Sequence, residues 1–187
     1  MPFETPPAKI PIVIRRASSA EIDDMLNSAS LAGSLDARRD TAVRRAHARE
    51  DIGQAFVALD SSSQQACFIQ WLLTSSDNKR IQSFFRRRFP LLKADEVLFE
   101  NALTLPSFRG LGIMSCAMSR IAELAAQEGF RHGVTFVAQD NLPSLRACEK
   151  AGFIPHLVRR DRSFCMGLIR HRRFSPVTLR AAGCLTR

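Results

Sequence analysis

The 187-residue sequence predicts an α/β domain in which helices flank a mixed sheet. Three observations predict it. An apolar run, 97–104, leads into the glycine-bearing stretch LPSFRGLGIMS at 105–115. The segment that follows carries Met114, Ala117, Met118, Ile121, Leu124 and Ala125 at the spacing of one helical face, so the order is strand, glycine turn, helix. The next apolar run, 134–138, then lies parallel to its predecessor through that helix. Upstream, two β-like runs at 55–59 and 66–74 flank the turn-forming DSSSQQ, which predicts an antiparallel hairpin and makes the sheet mixed.

In chain order, residues 1–11 hold four prolines and little periodicity and read as a loose arm. Residues 12–14 form a short strand. Ser18 and Ser19 precede a helix whose inner side is Ile22, Met25, Leu26 and Ala29, with Ser19 as its start. A charged helix follows over 34–51, with Leu35, Ala42, Val43 and Ala46 as its apolar positions and Arg38, Arg39, Arg44 and His47 on its polar side. Between the hairpin and the next strand lie about twenty residues, 76–95, where a short turn is common. Ile81, Phe84, Phe85 and Phe89 recur there at helical spacing until Pro90, a stripe that packs on its own sheet or serves as a lid or dimer contact. Period two in the strand 96–104 places Leu98, Glu100, Ala102 and Thr104 on one face. Gly129 caps the glycine-turn helix, Asn141 opens another that Gly152 closes, and runs at 153–158 and 163–169 finish the sheet as a second hairpin. The basic tail, 171–187, has weak periodicity and no assigned structure.

A chain of this length suits one domain that buries about 70% of its unfolded surface. It lacks a run of eighteen apolar residues and a basic-then-apolar leader, so the sequence predicts neither a membrane span nor a secretory signal. Cys67, Cys116, Cys148, Cys165 and Cys184 are odd in number and never two apart, which favours a reduced cytoplasm over disulfides or a zinc site. The four histidines, His47, His132, His156 and His171, share no metal-ligand spacing, and no metal is expected. Twenty-seven basic against eighteen acidic residues give a net charge of +9, clustered at 86–88, 159–162 and 170–173. That excess attracts any anion. With no Tyr and one Trp there is no obvious stacking platform for bases, so a solvated basic surface is favoured over nucleic acid as the reading of this charge.

The glycine turn is the chemically informative stretch. Gly110 and Gly112 let backbone approach a ligand, the free amides of the following first turn point at it, and Arg109 adds a full positive charge to the helix's partial one. A pyrophosphate is the natural occupant. The run Arg109, Gly110, Leu111, Gly112, Ile113 resembles the pyrophosphate loop of the GNAT acyltransferase superfamily, with Met114 standing where the family has Gly or Ala. A second stretch, NLPSLRACEKAGF at 141–153, resembles the family's other signature, an Asn opening a helix that ends in Gly-Phe.

The resemblance spans about residues 12–174 and implies a centrally splayed sheet whose cleft holds acyl-CoA, acetyl-CoA in the simplest case. The pantetheine arm would pair with backbone near Leu103 and Thr104 and with the Asn141 side chain, and the pyrophosphate would sit at 109–114. An amine, of a small molecule or a peptide, would attack the thioester directly. Glu100 is the first candidate base and Glu96 the second, with Glu100 pairing to an Arg of the helical wall as the alternative. Cys148 replaces the family Tyr that protonates the departing thiolate; it is either that acid or a small packed hydrophobe. The rival readings are a non-catalytic acyl-CoA binder and a basic nucleic-acid or acidic-protein binder.

Overall fold

The computed structural model describes residues 4–31, 35–86, 88–164 and 169–177, without the side chains of 35–37, 161–164 and 169–173. Cys165, Cys184, Arg87 and the tail beyond 177 lie outside the described residues, as do the side chains of the 170–173 cluster. The chain clusters into two compact units, 1–153 and 154–187.

The first unit is built on a five-stranded sheet in the order β1-β2-β3-β4-β5. Its strands are β1 (Ile12–Arg16), β2 (Gln54–Asp60), β3 (Ala66–Thr74), β4 (Glu96–Thr104) and β5 (His132–Thr135). β1 to β4 pair antiparallel and β5 runs parallel to β4, so the sheet is mixed. The β2–β3 hairpin forms as the sequence predicts. Its turn is held by Asp60, whose carboxylate accepts from the Ser62 amide (3.0 Å) and the Ser63 hydroxyl (2.8 Å).

Alternating side chains feed two cores. On one face Phe56, Phe68, Leu72, Val97 and Phe99 meet Ile113, Ala117, Met118 and Ile121 of α4 (Ile113–Gln127), with Cys148 and Ala151 from α5 (Leu142–Lys150) and its C-cap. On the other, Ile69, Trp71, Leu73, Leu98 and Leu103 meet Met25, Leu26 and Ala29 of α1 (Ser19–Leu31). The phenylalanine stripe joins this second core. α3 (Asn78–Phe84) is shorter than the periodicity predicts, and Ile81, Phe85, Phe89 and Leu92 are all buried. The Asn78 amide closes the segment by donating to Leu92 O and accepting from Leu92 N, each at 2.9 Å. The stripe therefore packs on its own sheet.

α1 starts at Ser19, as the sequence predicts, and Ser18 caps it: the Ser18 hydroxyl accepts from the Glu21 amide while Glu21 accepts from the Ser18 amide, a reciprocal capping box. Three expectations are corrected. β5 begins at His132 and ends at Thr135, short of Ala138. The last hairpin is β6 (Leu157–Phe164) with β7 (Ile169–Pro176), and these strands pair with each other as a separate two-stranded ladder rather than finishing the five-stranded one. The proline-rich arm is anchored along α4. Lys9 N–H donates to Leu111 O (2.8 Å), Arg120 donates to Ile12 O (2.7 Å), and the Thr5 hydroxyl bonds those of Ser119 (3.0 Å) and the carboxylate of Glu123. A groove of about 670 Å³ remains between arm and helix, lined by none of the candidate site residues.

Candidate active site

β4 is not a regular strand. Its register against β3 runs Phe68↔Thr104 and Ile69↔Leu103, then resumes at Trp71↔Glu100, so Asn101 and Ala102 together oppose Gln70. Asn101 has φ +57°, a left-handed conformation that Asn tolerates better than most residues. This is a β-bulge, and it reverses a predicted face. Glu100 lies with Leu98 and Leu103 on the α1 side, whereas Ala102 and Thr104 turn to the α4 side. β5 accompanies β4 only as far as Thr135 opposite Phe99, where the Thr135 hydroxyl donates to Phe99 O (3.0 Å). Past that point, among the described residues of the five-stranded sheet, the β5-facing edge of residues 100–104 has no strand paired to it, which is the splay that the sequence resemblance implies.

The helix α2 (Leu35–Arg49) faces the bulge, and not with the residues its apolar pattern suggested. Ala42, Val43 and Ala46 are exposed; Thr41 and His47 are buried and Arg44 is partly so. Polar groups turn inward because the bulge offers them partners. Arg44 donates to Asn101 O (3.4 Å, Nε) and Ala102 O (3.2 Å, Nη2). Burial lowers its pKa, opposed by the nearby charges of Asp40 and Glu100, while Arg109 adds a repulsion. His47 is fully buried. Its Nε2 lies 2.9 Å from Ile52 O, a carbonyl that can only accept, so Nε2 carries the proton and Nδ1 accepts from the Asn101 amide at 2.6 Å. Trp71, Phe84 and Phe85 surround the ring at 5.3 to 5.7 Å, and this desolvation pushes its pKa down to about 4. Arg38 and Arg39 stay exposed.

After Thr104 a single turn, Pro106–Phe108, carries the chain to the glycines. Arg109 is exposed and its Nε donates to Thr104 O (3.3 Å), so the guanidinium sits at the strand's end. Gly110 and Gly112 both have φ +75°. A Cβ at Gly110 would meet nothing within 4 Å, whereas one at Gly112 would stand 3.2 Å from Pro7 O of the arm. Gly112 is the N-cap of α4 and provides no side-chain cap, so the amides of Ile113 and Met114 begin the helix without one. The Ser115 hydroxyl turns back to Gly112 O (3.0 Å). Ile113 is buried, and Leu111 and Met114 are half-buried against the α4 core.

On α5, the Asn141 side chain is exposed and caps the helix by accepting from the Ser144 amide (3.3 Å). Cys148 is 5% exposed within the α4-side core, and burial pushes its thiol up to about 11. That environment belongs to the packed-hydrophobe alternative. Among the described residues no group of three His, Cys, Asp or Glu side chains could hold a metal.

The structure thus brings Glu100, Leu103, Thr104 and Arg109 together at the end of β4, with 110–114 next in line. It adds Arg44, His47 and Asn101, which no sequence motif marks. The sequence placed Arg44 and His47, with Arg38 and Arg39, on the polar side of this helix; the signal it left unread is Thr41, which recurs with them at intervals of three along the helix.

The fold is the one that solved GNAT-family acetyltransferases share. Residues 93–153 match the acetyltransferase (GNAT) family model, a segment from just before β4 to just after α5. No curated protein matches the chain. Among solved structures, AAC(6')-Iy in complex with the bisubstrate analogue CoA-S-monomethyl-acetylneamine aligns over 83% of this chain and 99% of its own, at 17% identity and a TM-score of 0.56. A Bordetella pertussis protein described as a GNAT-family acetyltransferase aligns over 91% of this chain and 98% of its own, at 19% identity and a TM-score of 0.58. At such identities the likeness is one of fold.

Proposed function

We propose that this chain transfers an acyl group, acetyl in the simplest case, from acyl-CoA to an amine held in the same ternary complex. One observation carries the reading: the unaccompanied edge of β4 runs directly into an anion seat formed by Arg109, the two left-handed glycines and the start of α4. A pantetheine arm can add to that edge as an extra strand near Leu103 and Thr104. Gln70, which opposes the bulge, is 1% exposed, and its Oε1 has no partner among the described residues; a ligand amide or a water would satisfy it. The family match and the CoA conjugate bound by AAC(6')-Iy support the same choice of donor.

In this reading the amine lone pair attacks the thioester carbonyl carbon, and a backbone N–H of β4 holds the oxyanion that forms. Collapse breaks the C–S bond, releasing coenzyme A. Glu100 takes the proton that the amine must lose, directly or through water. The charges of Glu100 and Asp40 beside Arg44 suit a cationic acceptor, of which the aminoglycosides named for AAC(6')-Iy are one example. In this reading the departing thiolate takes its proton from water rather than from Cys148, whose thiol is packed in the α4-side core, 5% exposed, and is pushed up by that burial to about 11. The three described cysteines are free and buried, which supports a reducing, cytoplasmic setting, and no described helix is long and apolar enough to cross a membrane.

The test is release of coenzyme A thiol from acetyl-CoA across a panel of polyamines, aminoglycosides and lysine peptides. Glu100→Gln should lower turnover by about 10²-fold near neutral pH and recover as the amine deprotonates at alkaline pH; Cys148→Ser should leave kcat unchanged. Release at the background rate with every amine and with longer acyl donors would leave a binding module instead.

A further inference from the structure

We propose that Asn101 and His47 are a positioning pair for acyl transfer: together they hold the β4 bulge so that the strand's open edge presents its amide to the thioester carbonyl. The inference rests on the acyl-CoA reading above and names residues that reading does not require.

A bulge is an insertion that the ladder on either side does nothing to stabilise. Here the ladder with β3 breaks between Leu103 and Glu100, and β5 stops opposite Phe99, so neither described neighbour, β3 or β5, fixes the backbone angles of Asn101 and Ala102. Asn101 nevertheless holds φ +57°, a left-handed conformation that is disfavoured for residues other than glycine, though less so for Asn than for most. Side chains from α2 supply what the ladder does not. The Asn101 amide donates to Nδ1 of His47, and the ring is itself set by Nε2–H to Ile52 O, so its plane cannot turn without losing both bonds. Arg44, one turn earlier, takes the two bulge carbonyls. With the carbonyls and the Asn101 side chain committed to α2, the backbone N–H groups at the bulge are aimed by the same restraint.

The aromatic surroundings explain why a histidine can serve. Trp71, Phe84 and Phe85 enclose the ring, and the neutral tautomer that accepts from Asn101 is the form such an enclosure favours. A lysine or a protonated imidazole could not accept from an amide N–H. A carboxylate could, at the cost of burying a charge.

Two substitutions separate this pair from general support of the fold. His47→Phe keeps an aromatic ring in an aromatic cage and removes both bonds; Asn101→Gly keeps the left-handed angle accessible and removes the tether. The readout that needs no acceptor is isotope-edited infrared spectroscopy of [1-¹³C]acetyl-CoA bound to the full chain. The parent should show the thioester C=O stretch moved to lower frequency than in solution. Both variants should still gain thermal stability from acetyl-CoA but lose that displacement. With an amine that turns over, kcat should fall at least tenfold while KM for acetyl-CoA moves less than twofold, and the double variant should be no slower than the slower single one. A displaced stretch retained in Asn101→Gly, or KM and kcat moving together, overturns the assignment and leaves the acyl-transfer reading standing. A parent that does not bind acetyl-CoA overturns that reading, and the pair's role with it.

Discussion

His47 has no surface in contact with water, and desolvation outweighs both its bond to Ile52 O and the charge of Asp77 in pushing its pKa to about 4. The folded value therefore lies below the unfolded one near 6.5. Its contribution to stability is complete above about pH 6.5, falls as the unfolded chain takes up a proton that the folded chain refuses, and is gone near pH 4. The fall amounts to roughly 3 kcal/mol at most, since one pKa unit corresponds to about 1.4. Urea unfolding at pH 7.5 and 4.5 should show parent stability dropping by up to that amount more than in His47→Phe, and equal drops would place the ring in water. Sequence could not assign this residue. A lone histidine in a charged helix has many exposed precedents, and the partner of its Nδ1 is an asparagine 54 positions away. Glu100 shows the same limit: the face it shares with Leu98 was legible, but its separation from Ala102 and Thr104 was not, because the left-handed residue next to it reversed the count beyond that point.

Elements were legible where period and punctuation agreed. β4, α4 and the helix opened by Asn141 stand within a residue of their sequence bounds because apolar spacing, glycines and a cap point the same way. β5 and the last hairpin shifted by several residues, for lack of any such punctuation. The arm was misread because proline content says nothing of what a segment lies on; here Ala8 and Ile10 pack on the core and Lys9 bonds the glycine turn. That contact divides the two glycines of one motif. Alanine at either position pays the left-handed cost of roughly 1–2 kcal/mol, but at 112 its methyl also presses on Pro7 O at 3.2 Å, while at 110 it meets open space. Gly112→Ala should thus lower the melting point more than Gly110→Ala. The order should vanish when residues 1–8 are removed from both, and an unchanged order without the arm would sink the explanation.

For the molecule as a whole, the residues proposed to hold acyl-CoA all lie in the first compact unit, 1–153, against a chain whose net charge is +9. Two kinds of electrostatics are then separable. The general field draws any polyanion and is screened over about 10 Å at 0.1 M salt and about 3 Å at 1 M. The seat at Arg109 acts by direct contact, where glycines and helix amides add shape to charge. Raising sodium chloride from 0.05 to about 0.5 M should therefore raise KM for acetyl-CoA severalfold while kcat, set at the bulge, stays level. In Arg109→Gln, KM should start higher and rise less steeply, because one of the charges being screened is gone. A duplex DNA titrated over the same range provides the contrast: a log–log slope of several units, with competition against acetyl-CoA, would mean that the basic surface and not the glycine turn selects the ligand. Coenzyme A dependence that is shallow, and lost with Arg109, would mean that the turn does.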